Sequence, residues 1–467
     1  MSKKPKSEAE VFKLLAKMNL INEKSNVFEN PQFLKLTNAV AKGYKEPQAA
    51  DMAIALTLAG QRGDEALAKM IVEAKKVSST KDVAVRLEEA QIKNWLSKEE
   101  TADKVLRALK IEKDGYISLW NLLLGTWVSY VKKIEEDPYK LLLSKMRAHD
   151  SDAKIAGWIG NAKQDAVPIA EKLENVLLDS RMPKTADDIF KLLELSSRGN
   201  DLFHSPRLST WISYVTKVKG KQADVQMYTV LRAAYGDDEL ARMLAASKQF
   251  ALGDVAKRLE EVQHKVGLIE GKTAQRFFTN LKLNTQGDKL FESPALWLRG
   301  WKSNWVTYVE KLNENPYAML LGKLKTSKLT ATDAKLVEMI MKAKKDASTS
   351  VIAGKLEAAQ LEKWSSEKQT AADVFQLLKL DHEGAVLLWK QRMRAWVAYV
   401  TKLDPHKSDD VILSVLKPYY TDTELARMVL TGRDGAEAMA AKFEKIVLNK
   451  WLAEKTNAVY TRRSSGF

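Results

Sequence analysis

The chain has 467 residues, 45% of them hydrophobic, and a formal net charge of +15. It can bury a sizeable core, but it is too long for one compact core of ordinary size. The absence of Cys excludes a disulfide scaffold and thiolate metal sites. Gly and Pro number only 21 and 11, and apolar residues recur at helical spacing, so the sequence predicts an all-α fold.

The sequence gives no sign of membrane insertion or of a targeting segment. No apolar run reaches the length of a transmembrane helix, so no membrane span is expected. Residues 1–6 are basic but lack the apolar stretch of a signal peptide, and we therefore expect that none is present in this sequence.

One pattern recurs five times along the chain: an Asp, then Leu or Ile three residues later, then Met or Trp six residues later. The five leading residues are Asp64, Asp152, Asp237, Asp333 and Asp422. This near-constant period predicts one structural unit copied in tandem, and the Asp is interpreted as a helix N-cap. Trp158 stands where the other four copies have Met.

Each predicted unit begins with a helix capped by Ser or Thr, whose hydroxyl can accept a hydrogen bond from the first turn. These caps are Ser7, Thr101, Thr185, Thr273 and Thr370. A second helix carries Trp and Tyr three residues apart, which places both on one helix face. Four copies contain this pair: Trp127 and Tyr130, Trp211 and Tyr214, Trp305 and Tyr308, and Trp396 and Tyr399. Unit one is degenerate and has Leu36 and Ala39 there.

The third helix starts with Pro in two units, at Pro138 and Pro316. The Asp-led helix is the fourth, and a longer apolar helix, the junction helix, ends each unit. Its central apolar residues are Leu87, Leu173, Leu259, Leu356 and Phe443. Few residues separate it from the next capped helix, so we expect continuous helical joints and a stiff rod with buried aromatic residues.

The resulting prediction is a linear solenoid of about five helical bundles with about five helices each. Its units are 7–96 (degenerate), 97–182, 183–270, 271–366 and 367–455, followed by a frayed tail, 456–467. The four Trp-x-x-Tyr helices, the Asp-led helices and the Leu-rich junction helices together resemble the tandem LWY repeats of oomycete Arg-x-Leu-Arg effectors. Plant pathogens such as Phytophthora secrete these proteins.

This resemblance, which covers residues 7–460, implies that Trp, Tyr and the Leu of the junction helix are packing residues. It also implies a protein that acts inside the plant cell, in the cytoplasm and nucleus, and suppresses immunity by binding host proteins. Some members of the family recruit the core of protein phosphatase 2A as regulatory-subunit mimics, and others suppress RNA silencing. The Arg-x-Leu-Arg leader is not seen in this sequence, and we take it to have been removed.

No constellation of residues indicates an enzyme. The five His residues lie far apart without zinc-ligand spacing, and Gly271-Lys272-Thr273 lacks the earlier Gly of a phosphate loop. We therefore expect no catalytic residue, no cofactor and no metal. Carboxylate pairs such as Glu88-Glu89 and Glu260-Glu261 are interpreted as solvated or inter-unit charges.

Two functions stay open. The first is a monomeric, non-catalytic scaffold for host proteins, with the scaffold and catalytic subunits of protein phosphatase 2A as the most concrete partners; the residues that bind partners are unknown. The second is suppression of RNA silencing through binding of RNA or of an RNA-processing protein, because residues 271–366 contain 16 basic and 9 acidic residues and so hold nearly half of the excess charge. A solvated Lys-rich surface explains that charge more simply, and nucleic acid is the disfavoured partner.

Overall fold

The computed structural model describes residues 7–21, 26–165, 167–182, 184–247, 252–280, 301–325, 332–345 and 349–464. The chain divides into two compact bodies, Met1–Ala234 and Tyr235–Phe467. The predicted all-α class is confirmed, since the described residues are mostly helical and their strands form one short hairpin. The division into five repeat units is finer than these bodies and stays a prediction.

The first body contains the helices of predicted units one and two and the first helices of unit three. The helices of unit one are α1 Glu8–Lys17, α2 Pro31–Ala41, α3 Pro47–Arg62, α4 Asp64–Ala74 and α5 Lys81–Ser97. Unit two has α6 Ala102–Ala108, β1 Glu112–Lys113, β2 Tyr116–Ile117, α7 Leu124–Lys133, α8 Pro138–Arg147, α9 Asp152–Gln164 and α10 Ala170–Asp179. Next come α11 Ala186–Leu192, a 3₁₀ helix Gly199–His204, and α12 Pro206–Lys219.

The second body begins within α13 Ala223–Ser247, which joins two helices across a kink at Gly236. It continues with α14 Gly253–Ile269, α15 Ala274–Asn280, α16 Trp301–Lys311, α17 Pro316–Lys325, α18 Asp333–Ala343 and α19 Ser350–Ser366. The last elements are α20 Ala371–Leu377, a 3₁₀ helix Gly384–Trp389, α21 Gln391–Leu403, α22 Ser408–Leu416, α23 Asp422–Gly432 and α24 Glu437–Ser464.

The predicted caps of the first helices are confirmed. Thr101 accepts a hydrogen bond from the backbone N–H of Lys104, and Thr273 accepts one from that of Arg276. Thr185 and Thr370 form reciprocal capping boxes with an Asp three residues later. These bonds satisfy N–H groups that have no partner within the helix, and they fix where each helix begins.

The interpretation of the repeated Asp as an N-cap is wrong by one residue. The cap is Ser151 in α9, Thr332 in α18 and Thr421 in α23, and the Asp is the first helical residue. There its negative charge favours the positive end of the helix dipole. The repeated Asp also contacts the end of its own unit. In unit one, the Gln91 side chain of the junction helix donates a hydrogen bond to the Asp64 carboxylate over 3.1 Å.

The same position makes comparable contacts elsewhere, each within one body. Arg181 binds Asp152, Lys272 approaches Asp237 to 2.6 Å, and the Trp364 indole N–H donates to Asp333 over 2.7 Å. In these units the Asp therefore ties the start of the fourth helix to residues at or just beyond the junction helix.

A second tie joins the end of the Asp-led helix to the junction helix. The cation stands eleven residues after the Asp, and its partner is a Glu near the middle of the junction helix. The pairs are Lys75 with Glu88, Lys163 with Glu174, Lys344 with Glu357, and Arg433 with Glu444. Glu88 also has an inter-unit contact of the predicted kind, because the Thr126 hydroxyl of unit two donates to its carboxylate over 3.2 Å.

The expectation of continuous helical joints is wrong. Between junction helix and next capped helix the chain turns through a residue with positive φ: Glu99 in the first body, and Gly271 and Lys368 in the second. The physical reason is the cap itself. A Thr that caps a helix needs extended backbone, as at Thr101 with ψ 156°, and such backbone cannot continue a preceding helix.

The frayed tail at 456–467 stays a prediction. The backbone of α24 stays helical through Ser464, because no Pro or Gly interrupts the sequence before Gly466. Residues 465–467 and 1–6 lie outside the described residues.

In the first body, α9 and α12 pack against each other more extensively than the other helix pairs of the described residues. Gly160 of α9 faces the start of α12, and a Cβ placed on Gly160 would lie 2.2 Å from the carbonyl oxygen of Pro206. Only a residue without a side chain fits this contact. Helix α12 is the aromatic helix of unit three, so Gly160 sets how closely units two and three approach.

Candidate protein-binding surface

The structure places every predicted packing residue in the interior. None exposes more than 5% of its surface: Trp127, Tyr130, Trp211, Tyr214, Trp305, Tyr308, Trp396, Tyr399, Leu87, Leu173, Leu259, Leu356 and Phe443. In unit one, Leu36 fills the Trp position and is also fully buried. Trp158, the exception to the Met pattern, is half-buried.

The polar tips of the aromatic pairs have fixed partners. In the first body, the indole N–H of Trp127 donates to the carbonyl of Ala102 over 2.9 Å, and that of Trp211 donates to Ala186 over 2.8 Å. In the second, Trp305 and Trp396 donate to Ala274 and Ala371. Each acceptor is the first residue of the capped helix in the same unit.

The Tyr hydroxyls bind two residues earlier, at the carbonyl of the residue before the Thr cap. Tyr214 donates to Lys184 over 2.5 Å, and Tyr399 donates to Gln369 over 2.6 Å. Tyr130 and Tyr308 make the same contact with Glu100 and Lys272. Burial raises the pKa of all four Tyr side chains. The aromatic pair thus holds the turn that starts its own unit, and neither ring is available to a ligand.

Two other tryptophans are half-exposed, and the sequence analysis did not single them out. Trp120 exposes 43% of its surface and Trp389 exposes 48%. Each lies seven residues before the buried Trp of its unit, in the segment between capped helix and aromatic helix. That recurrent spacing is the signal that would have found them.

We define the Trp120 surface as Tyr116, Trp120, Leu122 and Asp165 in the first body. Tyr116 exposes 53% and Leu122 61% of their surfaces, while the intervening Ile117 and Leu119 are buried and anchor the segment. The Trp120 indole N–H donates to the Asp165 carboxylate over 2.8 Å.

The hairpin that carries Tyr116 has an Asp114-Gly115 turn with positive φ at both residues. The ring of His149 lies where a Cβ on Gly115 would stand, 2.6 Å from that position, and it also packs beside Tyr116 with 5.7 Å between ring centres. The positive φ favours Gly at this turn, and a side chain there would also require the His149 ring to move away from Tyr116.

We define the Trp389 surface as Val386, Trp389 and Leu430 in the second body, all of which are exposed. The Trp389 indole N–H donates to the backbone carbonyl of Thr431 over 3.2 Å, and its ring lies against Gly435. The acceptor is therefore neutral, in contrast to the carboxylate beside Trp120.

The rest of the described surface offers little chemistry. Across the described ranges, no three His, Asp or Glu side chains are grouped so that they could hold a metal ion. An open groove of about 600 Å³ runs between α10 and α12, but its charged Lys163 and Lys217 are already paired with Glu174 and Asp179. In the described part of the chain, no helix combines the length and apolar character that a bilayer crossing needs.

Buried aromatic pairs repeated along tandem helical units define an all-α repeat protein of the WY/LWY type. No family model matches the chain. It is 28% identical over 470 residues to the RxLR effector protein PSR2 of Phytophthora sojae, covering 95% of this chain and 68% of that protein. RxLR effector protein CRE15 of Phytophthora infestans is 30% identical over 248 residues, 52% of this chain and 68% of that protein.

A solved structure gives the same result. The crystal structure of PcRxLR12 matches with a TM-score of 0.60 and 26% identity, covering 85% of this chain and 95% of that one. The chain belongs to the RxLR effector family, whose members Phytophthora secretes and delivers into host cells. The predicted resemblance is confirmed at this level. The relatives' names designate effectors and no enzyme, and host proteins are the targets this class implies.

Proposed function

We propose that this effector is a non-catalytic, monomeric scaffold that binds host proteins in the cytoplasm and nucleus of the plant cell and thereby suppresses immunity. One observation carries the proposal. The aromatic residues common to the units are buried, whereas the exposed tryptophans, Trp120 and Trp389, are set in surfaces of different composition. Half-exposed Trp is typical of residues that dominate binding energy between proteins.

The most concrete partner is the core of protein phosphatase 2A, with the effector in place of a regulatory subunit. Each body has its own exposed tryptophan surface, so one surface is free to bind the phosphatase core and the other a substrate protein. Holding enzyme and substrate on one chain raises their effective concentration without new chemistry. This version rests on the family resemblance and on the presence of two separate surfaces.

Affinity purification tests it. The immobilised chain is incubated with plant extract, and the bound fraction is probed for the scaffold and catalytic subunits of the phosphatase and assayed for phosphatase activity. We expect both phosphatase subunits to be enriched. Changing Trp120 or Trp389 to Ala should reduce the amount of either the phosphatase core or the substrate protein that is bound, depending on which of the two that surface contacts. Absence of both subunits from the bound fraction rejects phosphatase recruitment, and mass spectrometry of that fraction identifies other host targets.

The alternative of RNA binding rests on the charge of residues 271–366. Two of its Lys side chains are engaged within the unit, because Lys325 pairs with Asp333 and Lys344 with Glu357. Residues 281–300 lie outside the described residues. If RNA is the ligand, affinity must fall steeply as salt rises, and a flat salt response rejects this alternative.

A further inference from the structure

The Trp120 surface contains a carboxylate in an electrostatically unfavourable place. Asp165 directly follows the last residue of α9, where the helix dipole is negative and cations are favoured. The nearest Lys residues on α9 are engaged elsewhere: Lys163 pairs with Glu174, and Lys154 lies 3.7 Å from Asp150. Among the described residues, Asp165 accepts a hydrogen bond from Trp120 and forms no ion pair with a cation.

Beside this carboxylate lies an exposed apolar and aromatic area. Tyr116, Trp120 and Leu122 fall within seven residues, and each exposes more than two fifths of its surface. Buried Ile117 and Leu119 anchor this segment, and the ring of His149 packs beside Tyr116. Three large side chains exposed within one short anchored segment, rather than singly, are typical of an interaction site.

We propose that the Trp120 surface binds an Arg side chain, flanked by apolar residues, of a host protein. A guanidinium group is planar, so it can stack on the exposed indole and donate hydrogen bonds to Asp165 at the edge of the ring. Its charge offsets both the carboxylate and the negative end of α9, and Tyr116 and Leu122 receive the apolar neighbours. The inference rests on the proposed binding of host proteins and adds the chemistry of one contact.

The Trp389 surface provides an internal control. It presents a comparably exposed indole at the equivalent position, but the indole N–H binds the neutral carbonyl of Thr431. An Arg-bearing peptide attracted merely by exposed Trp would therefore bind both surfaces alike. One recognised by the pair of indole and carboxylate would prefer Trp120.

The test uses the full chain labelled with 5-fluorotryptophan and followed by fluorine NMR. Trp120→Phe and Trp389→Phe assign the two signals. The probes are the peptide acetyl-Leu-Arg-Leu-amide and the same peptide with citrulline, which keeps the shape of Arg but has no charge. We expect the Arg peptide to shift the Trp120 signal, the citrulline peptide to shift it much less, and the Trp389 signal to stay in place.

Charge variants complete the experiment. Asp165→Asn should weaken binding of the Arg peptide about threefold to fivefold, the range of an exposed ion pair, and Asp165→Glu should restore it. Unchanged positions of the other tryptophan signals confirm that each variant is folded. Equal shifts at Trp120 and Trp389, equal binding of both peptides, or no shift of Trp120 overturn the inference. Because the probe is a peptide, this result is independent of whether the phosphatase is captured from plant extract.

Discussion

Replacing Gly160 by Ala tests whether units two and three are held by direct backbone contact. In the structure a Cβ at this position would lie 2.2 Å from the carbonyl oxygen of Pro206, where ordinary contact begins at 3.4 Å. The two helices must therefore separate by about 1.2 Å at this point. The obstructing atoms belong to the backbone, so no side-chain rotation relieves the overlap.

The magnitude follows from two opposing effects. Overpacking of this kind costs about 1–3 kcal/mol, whereas Gly→Ala within a helix gains up to about 1 kcal/mol of helix propensity. Gly60, in α3 of the same body, is the matched control because nothing lies within 4 Å of its Cβ position. The difference between the two variants isolates the cost of the overlap. For a body of this size it corresponds to a melting-temperature difference of roughly 5 °C.

The assay is calorimetric melting of the full chain carrying Gly160→Ala or Gly60→Ala, with hydrogen exchange read by mass spectrometry. We expect Gly160→Ala to lower the melting temperature and to increase exchange in peptides from α9 and α12, and Gly60→Ala to be neutral or stabilising. If Gly160→Ala melts with or above Gly60→Ala, the close contact between these helices is not present in solution and the reasoning fails.

Three further changes probe single contacts. Tyr399→Phe removes the hydroxyl that donates to Gln369 and should destabilise the second body by about 1–2 kcal/mol, measured by urea denaturation. Asp152→Asn removes a buried charge that two Arg side chains contact and should cost about 2 kcal/mol at neutral pH, measured by thermal melting across pH. Thr421→Ala breaks a capping box and should cost about 1 kcal/mol, whereas exposed Thr423→Ala should not, by the same urea assay.

The pH dependence of Asp152→Asn has a definite sign. Burial alone would raise the pKa of Asp152, but the hydrogen bonds and charges of Arg147 and Arg181 outweigh it, and the pKa lies below its usual value. The charged carboxyl therefore contributes stability above about pH 4, and this contribution is lost as the pH falls through the folded pKa. A difference between variant and parent that stays constant down to pH 2 would contradict this account. Equal stability of Tyr399→Phe and the parent would show that the hydroxyl bond adds nothing.

The scaffold was largely predictable because its signals are local and repeated. A Thr before an apolar helix marks a cap, and Trp and Tyr three apart mark one face, so the four copies of each signal reinforce one another. The N-cap assignment failed because Asp152 and the preceding Ser151 are both good caps, and residue type does not decide between adjacent positions.

The candidate surface was much harder to predict. Trp120 and the buried Trp127 are the same residue type in the same unit, and the spacing that recurs at Trp389 marks the position of Trp120 without showing how exposed it is. The contact between Trp120 and Asp165 joins residues 45 positions apart in different elements, so no local pattern contains it. The Asp114-Gly115 turn, by contrast, has a local sequence signal, because Asp-Gly favours a two-residue hairpin turn. A search for helical spacing alone does not detect it.

The aromatic pairs have a consequence for how such effectors diversify. The indole of Trp127 reaches a carbonyl 25 residues earlier, as do those of Trp211 and Trp396, but for Trp305 the distance is 31 residues and the bond is kept. Six extra residues are thus accommodated without loss of the anchor. The segment that they lengthen corresponds to the one that displays Trp120 and Trp389. If this segment binds host proteins as proposed, insertions and substitutions there would change the partner at little cost to folding, and new host specificities would evolve on an unchanged frame.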